Sequence, residues 1–395
     1  MKKLLFITWD GPQTSYMEGL FMPIFHQVSQ IESVEFHVVQ FTWALDAKTT
    51  EVRKKAKELG IVYTNYPICR KPVAVLGSIY TLFKGIQFLK KYIKQQCIDI
   101  VMPRSTMPAI MLNRLRKEKI KILFDADGLA IEERVDFAGL SKASKQYRFF
   151  TSEEQKMILK ADGVITRSYA AIDYFADKLS LSIKDKFSVV LNGRNTVDFT
   201  PDNEEIEKTK IGLGIPVSNK VFVYCGSLGP QYGWEYMLSI FEKYLKINNR
   251  STFLIITGNT EFAENNLPDI LKPNCIITKV PFSEVAKLLN LANVAFAIRE
   301  PKPSMKAVAP IKLGEYLLMG IPTIASKGIG DTEEILKIAP NCFLFDHDDL
   351  QNIEKAVAFI NENQIWDKTV LRQVGIDYFS LEKSALSYQK AIHKL

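Results

Sequence analysis

Histidine is scarce in this chain: His26, His37, His347 and His393 are the four among 395 residues, and each stands alone. Isolated histidines are more often structural than catalytic, and no Ser/His/Asp or Cys/His arrangement can be assembled around them. Cysteine is equally thin. The five residues Cys69, Cys97, Cys225, Cys275 and Cys342 are odd in number, scattered and without a CxxC pair. That excludes a disulfide framework and a zinc-finger type of site, and it implies a reducing compartment. No apolar run approaches the roughly 18 residues that a membrane-spanning helix needs. The N-terminus MKKLLFITWDGP opens like a signal peptide, but its apolar stretch is only Leu4 to Ile7 and reads better as a first strand. There is no short internal repeat, no low-complexity tract and no signature of a nucleic-acid module, so a nucleic-acid partner is not expected.

What is present is ordinary globular material. Apolar residues make up 47% and charged residues 24%, and a chain of this length implies two domains. The expectation is a cytoplasmic protein. Its net charge of +7 is unevenly spread: residues 1–190 carry 29 basic and 20 acidic residues, the remainder 22 and 24. Residues 53–121 alone carry 16 basic against 3 acidic. A field of this sign favours anionic partners. Within it, residues 78–93 (SIYTLFKGIQFLKKYI) place Ile79, Leu82, Phe83, Ile86, Leu89 and Ile93 on one helical face. The favoured expectation is a helix packed by that face on its own sheet, with the lysines in water. The alternative is an interfacial helix in peripheral contact with an anionic membrane, at the inner face of the plasma membrane.

Short β-branched or apolar runs alternate with amphipathic stretches. The expected strands are 4–8, 34–41, 99–102, 120–125, 163–167 and 187–191, followed by 221–225, 253–257, 275–279, 294–298, 322–325 and 342–345. Alternation of this kind implies parallel sheets covered by helices on both faces. Two series imply an α/β chain of two facing, doubly wound, Rossmann-like domains with their binding crevices around an interdomain cleft. The seam is expected in NGRNTVDFTPDNEE, residues 192–205. The domains are then 1–195, rejoined by a C-terminal helix at 378–395, and 196–377.

The most informative stretch is APIKLGEYLLMGIPTIAS, residues 309–326. Pro310 suits a first helical turn, Gly320 a helix stop and Pro322 the exit into a strand. Lys312 and Glu315 are three apart and share a face near the helix start. Free N–H groups there favour a diphosphate, and a glutamate one turn further in can accept two hydrogen bonds from a ribose diol. A surface Lys–Glu pair on a well-capped helix is the alternative reading.

Taken in order, these segments resemble the GT-B glycosyltransferases, and specifically glycosyltransferase family 4, over nearly the whole chain. VFVYCGSLGPQYG (221–233) is similar to the strand and glycine turn that open the family's donor domain. FLIITGN (253–259), CIITKVPFSEVAKLLNLANVAFAI (275–298), residues 309–326 and GIGD (328–331) follow as in the family, with NGRNTVDFTP (192–201) as the domain-linking signature. FDADGLAIEERVD (124–136) resembles an acidic segment on the acceptor side. The resemblance implies a retaining hexosyltransferase that uses a nucleoside-diphosphate sugar, with no metal or other cofactor. It implies that Glu315 binds the ribose, that Val280 lies near the base, and that Gly226, Ser227, Ala309 and Pro310 approach the diphosphate. Gly11, in the other domain, would close on the phosphates. The acceptor would be a glycan or lipid-linked saccharide in surface polysaccharide assembly.

Three departures bear on this. The second glutamate of the family's pair, eight positions before Glu315, is here Ala307. The Arg and Lys that many relatives carry in the glycine turn are here Ser227 and Tyr232. Lys312 is the first candidate to replace those cations, with Arg299, Lys302 and Lys306 as weaker ones. The third departure is the want of a histidine in an acceptor-site position. Asp125-Ala126-Asp127 forms a DxD of the kind that binds metal in a different glycosyltransferase fold. In a GT-B context the resemblance implies instead that Asp127 or Glu133 orients an acceptor hydroxyl. An epimerase of nucleotide-sugars and a catalytically silent binding module remain as alternatives.

Overall fold

Each apolar run singled out above forms a strand in the computed structural model of the chain, which describes residues 1–12, 15–115, 120–179, 183–363 and 365–395. The chain divides into two units, residues 1–193 with 381–395, and residues 194–380.

The first unit carries β1 (Lys2–Asp10), β2 (Val34–Thr42), β3 (Val62–Pro67), β4 (Ile100–Pro103), β5 (Lys121–Asp127), β6 (Gly163–Thr166) and β7 (Phe187–Val189). They form one parallel sheet in the order β3-β2-β1-β4-β5-β6-β7. Sequence reading missed β3 because VYTNYP is polar and only half-buried at the sheet edge, so it lacks the apolar signature of a central strand. Under the sheet Phe6, Phe21, Phe25 and Phe36 stack in a chain with ring centroids 4.5 to 5.1 Å apart along the contacts Phe6–Phe21, Phe6–Phe25 and Phe25–Phe36. The C-terminal helix Leu381–His393 returns to this cluster through Tyr388, whose ring meets Phe25 edge-on. Ser384 and Ser387 bond the backbone of Leu191, and Gln389 and His393 bond Glu32.

The second unit carries β8 (Lys220–Cys225), β9 (Ser251–Ile256), β10 (Cys275–Thr278), β11 (Val294–Ala297), β12 (Thr323–Ser326) and β13 (Phe343–Phe345). Its parallel sheet runs β10-β9-β8-β11-β12-β13. Both sheets are doubly wound, and in each the order reverses beside the first strand, between β1 and β4 or between β8 and β11. Crevices at the carboxyl ends of these strand pairs are where open α/β sheets bind ligands.

One expectation is corrected. The Ala74–Gln96 helix buries Gly77, Thr81, Gly85, Leu89 and Tyr92, so of the apolar face read from the sequence Leu89 is buried, Leu82, Ile86 and Ile93 are half-buried, and Ile79 and Phe83 are exposed. A Cβ on Gly77 would lie 2.3 Å from the Cys69 carbonyl oxygen, and one on Gly85 would lie 2.8 Å from Met111 Sδ. Those two glycines let the helix sit so close that its small-residue side becomes the buried one, and Ile79 and Phe83 point outward.

Candidate functional site

The glycine turn leaves β8 at the switch point of the second sheet. Gly226 adopts φ +136°, and a Cβ there would fall 2.1 Å from Lys312 Cε, so the turn accommodates the lysine only because position 226 has no side chain. The far end of the turn is tied to the exit of β11. Gly233 N–H donates to the Ile298 carbonyl, Glu300 N–H donates to the Gln231 carbonyl, and Tyr232 pairs with Arg299 in an antiparallel bridge.

This pairing gathers two cations on one aromatic ring. Lys312 Nζ lies 4.0 Å and Arg299 Cζ 4.8 Å from the centre of Tyr232. Lys312 Nζ also donates to the Tyr224 hydroxyl at 2.7 Å, and that hydroxyl donates to the Ser227 carbonyl. Arg299 is fixed through its own backbone: its N–H donates to Ser326 Oγ at 2.9 Å, and Ser326 Oγ in turn bonds His347 Nε2 at 2.9 Å. Among the described residues neither cation has a carboxylate within ion-pair distance. Burial, reinforced by the neighbouring Arg299, holds the Lys312 ammonium well below the usual lysine range, against the pull of Cys225 and Glu315. A lysine and an arginine on one ring, neither with a carboxylate partner among the described residues, make an arrangement that an anion completes by favouring the charged form of Lys312, and both come from elements other than the glycine turn itself.

Glu315 lies one turn beyond Lys312 in the Ile311–Leu318 helix. The helix ends where expected, with Gly320 at φ +65°. Tyr316 holds it to the sheet by accepting the Cys225 N–H at 2.8 Å. Glu315 is buried, with only 6% of its surface exposed, and accepts from Arg194 Nε at 2.8 Å. Arg194 also rests over Phe282 at 5.4 Å. Sequence reasoning missed Arg194 because residues 192–205 read as a polar seam. Ala309 and Pro310 stand half-buried just before the helix, and Val280 half-buried after β10, against the second unit's core. Ser227 is exposed. Ala307 is fully buried, so no side chain reaches out from that position. Lys302 and Lys306 are exposed and do not join the cluster.

In the first unit the DxD lies at the carboxyl end of β5 and is taken up by arginines. Asp125 is fully buried and accepts from Arg167 at 2.7 Å and Arg104 at 3.3 Å, while Asp127 accepts from Arg104 at 2.6 Å. Asp127 is one-third exposed, with φ +59° supported by its own N–H donating to Asp125 Oδ1. Among the described residues no group of three or more His, Cys, Asp or Glu could hold a metal ion. Glu133 is half-buried in the first turn of the Ala130–Ala138 helix. Its neighbour Glu132 is the networked residue. It accepts from Tyr147, Tyr174 and Lys178, and these bonds together with the nearby cations outweigh its burial and bring its carboxyl down to about 2. Gly11, after β1, lies beside the Trp43 ring. Arg104 and Arg167 gave no sequence signal, since a lone charged residue after a strand is common, and within the acidic segment 124–136 nothing in the sequence singled out Glu132 from its neighbour Glu133.

Residues 219–363 match the model of a family described as Glycosyl transferases group 1, a stretch that runs from β8 past β13. No curated protein matches the chain significantly. Among solved structures it is similar along its whole length to the Anabaena protein HepE in complex with UDP-glucose, at 13% identity, covering 100% of both chains with a TM-score of 0.73. It is also similar to the sucrose-phosphate synthase of Thermosynechococcus elongatus, at 14% identity over 100% of this chain and 99% of that one, TM-score 0.70. A Listeria monocytogenes protein assigned as a UDP-N-acetylglucosamine 2-epimerase aligns over 99% of this chain and 95% of that one, at 12% identity and TM-score 0.58. The two Rossmann-like sheets are those of the GT-B fold, the fold that the sequence resemblance implies.

Proposed function

With a group 1 glycosyltransferase segment in its second unit as the premise, we propose that the chain transfers a hexose, with retention, from a nucleoside-diphosphate sugar to an acceptor hydroxyl. The observation that carries this reading is the pair Lys312 and Arg299 on Tyr232, one helical turn from Glu315. The pair suits a diphosphate, and Glu315 suits the ribose diol next to it. HepE in complex with UDP-glucose supports the same ligand class.

In the reaction the bond between the sugar C1 and the diphosphate oxygen breaks and a bond from C1 to the acceptor oxygen forms on the same face. The acceptor proton passes to a phosphate oxygen of the departing nucleoside diphosphate. Lys312 and Arg299 stabilise the charge that accumulates there, which is the largest single lever an enzyme has on such a step. No covalent nucleophile is needed. Asp127 or Glu133 orients the acceptor hydroxyl. The basic first unit fits an acceptor that carries phosphate, such as a lipid-linked saccharide in surface polysaccharide assembly, reached from the cytoplasmic face. The pairing of Asp125 and Asp127 with arginines supports a reaction that makes no demand on that motif for metal.

Calorimetry against a panel of nucleotide-sugars tests the reading. Glu315→Gln is expected to weaken the bound donor about tenfold or more, the value of a hydrogen bond to a charged group. Unchanged affinity removes the assignment. The Listeria relative favours one second reading, epimerisation. An epimerase converts donor alone into a different nucleotide-sugar, whereas a transferase leaves its sugar configuration intact until an acceptor is added.

A further inference from the structure

Between Leu59 and Ile98 the sequence contains no Asp or Glu but six basic residues, Arg70, Lys71, Lys84, Lys90, Lys91 and Lys94. In the same stretch Val73, Val75, Leu76, Ile79, Tyr80 and Phe83 are 45–69% exposed. Five of them sit at positions i, i+1, i+4, i+5 and i+8 of the Ala74–Gln96 helix and so form one continuous face. The opposite face, Gly77, Thr81, Gly85, Leu89 and Tyr92, is the one packed on the unit. Lys90 and Lys94 prolong the outward stripe by two further turns, each about a whole number of turns beyond Val75 or Leu76. The exposed face is therefore apolar at its first half and cationic at its second.

The geometry points to this face as a docking surface for an anionic membrane: Val75, Leu76, Ile79, Tyr80 and Phe83 enter the headgroup–acyl boundary while Lys84, Lys90, Lys91 and Lys94 meet the anionic headgroups. An apolar face of this size left in water is unusual for a soluble domain, and the basic residues of a segment that holds no Asp or Glu choose the occupant. A second copy of the chain would bring like charges together, and a neutral surface would leave the lysines without counterions. The face also lies where a lipid-borne substrate is useful. The helix follows β3, at the carboxyl-end edge of the sheet. Arg70 stacks on Trp43 at 4.6 Å, and Trp43 lies against Gly11 at the end of β1. A headgroup held at this face would stand beside the contacts Arg70–Trp43–Gly11 that lead to the end of β1, and would be presented there as acceptor. That last step rests on the transferase reading, whereas the membrane contact itself does not.

The test is flotation of the full-length protein with vesicles of phosphatidylglycerol and phosphatidylcholine, against pure phosphatidylcholine. The wild type is expected to float with the anionic vesicles at low salt and not with the neutral ones. Leu76→Ser/Ile79→Ser/Phe83→Ser is expected to abolish flotation. Lys90→Gln, Lys91→Gln and Lys94→Gln are each expected to weaken it about fivefold, the contribution of one basic residue near an anionic surface. All variants should bind nucleotide-sugar as the wild type does, which reads the intact second unit. The proposal is overturned if the wild type stays with the unbound fraction, if the triple serine variant floats equally well, or if that variant only dissolves a dimer or a complex with an acidic protein. A wild type that floats but transfers no sugar would sink the enzymatic reading and leave the docking surface standing.

Discussion

Tyr232 takes a position where relatives with the glycine turn often carry a cation, and its ring instead carries two cations from elsewhere. A cation–aromatic contact contributes about 0.5–2 kcal/mol depending on desolvation. Tyr232→Leu is therefore expected to weaken a nucleoside diphosphate by roughly tenfold and leave the corresponding nucleoside unaffected, whereas Tyr232→Phe keeps the affinity. Calorimetry with both ligands checks it, and an equal loss for both would mean that the ring only supports the fold. Lys312 adds a pH dependence. Its ammonium is held well below the usual lysine range when no anion is bound, by burial first and then by Arg299, with Cys225 and Glu315 opposing and Tyr224 and Tyr232 facing it. An arriving diphosphate favours the charged form, so binding takes up a proton. Affinity should strengthen as pH falls through the depressed value and weaken above it. Lys312→Met should flatten that profile, and calorimetry in buffers of different ionisation enthalpy reads the proton directly. The sign for stability is the opposite: the unfolded chain holds the lysine proton more tightly, so this group disfavours folding as pH falls.

At the level of elements, two close approaches decide whether the site residues are held. A Cβ on Gly314 would lie 2.5 Å from the Phe379 ring, and one on Gly375 would lie 2.6 Å from the Leu318 nitrogen. The helices Ile311–Leu318 and Lys368–Phe379 thus interlock through a glycine on each. Gly375→Ala is expected to cost about 2–3 kcal/mol by overpacking and to weaken nucleotide binding through the displaced Lys312 and Glu315. Denaturant melts with and without ligand measure both effects. A second coupling joins the Ala130–Ala138, Lys145–Lys160 and Tyr169–Leu179 helices. Buried Glu154 is pushed up to about 7, by desolvation first and also by Glu132, against Lys178. A carboxyl whose pKa is raised by folding supports the fold below its ordinary value of 4.5 and loses that support as pH climbs through 7. Glu154→Gln should therefore gain stability relative to wild type, by about 3 kcal/mol above pH 7, with little difference below pH 4.5. Urea melts across that range test it.

For the molecule as a whole, the sheets were legible because strands buried on both faces announce themselves as apolar runs. β3 escaped because its edge sequence VYTNYP is polar, whereas the equally half-buried edge strand β10 keeps the apolar run CIIT and was legible. The site was legible where one stretch of chain carries it, as for Lys312 and Glu315. It was illegible where folding brings distant residues together, as for Tyr224 and Lys312, or Arg194 and Glu315. The start of the Ala74–Gln96 helix departs from the favoured expectation because hydrophobic periodicity assumes that large apolar residues pack inward, whereas Gly77 and Gly85 turn the helix so that Leu89 is buried and Ile79 and Phe83 are exposed. The chain's return to its first unit is a further expectation at this scale. Removing residues 381–395 strips Tyr388 from Phe25 and Ser384 and Ser387 from Leu191. The truncated protein should show an early-melting first unit while the second still binds nucleotide, which separate transitions in calorimetry would reveal.

Arg194 opens the second unit and Ser380 closes it, and the two form a bridge, with the Arg194 N–H donating to the Phe379 carbonyl at 2.7 Å. A segment whose beginning and end touch is topologically a cassette: it can be inserted into, or lifted from, a host loop without stretching either. Evolution and the engineer share that freedom, since the segment can be exchanged at adjoining ends while the chain on either side of it keeps its own fold.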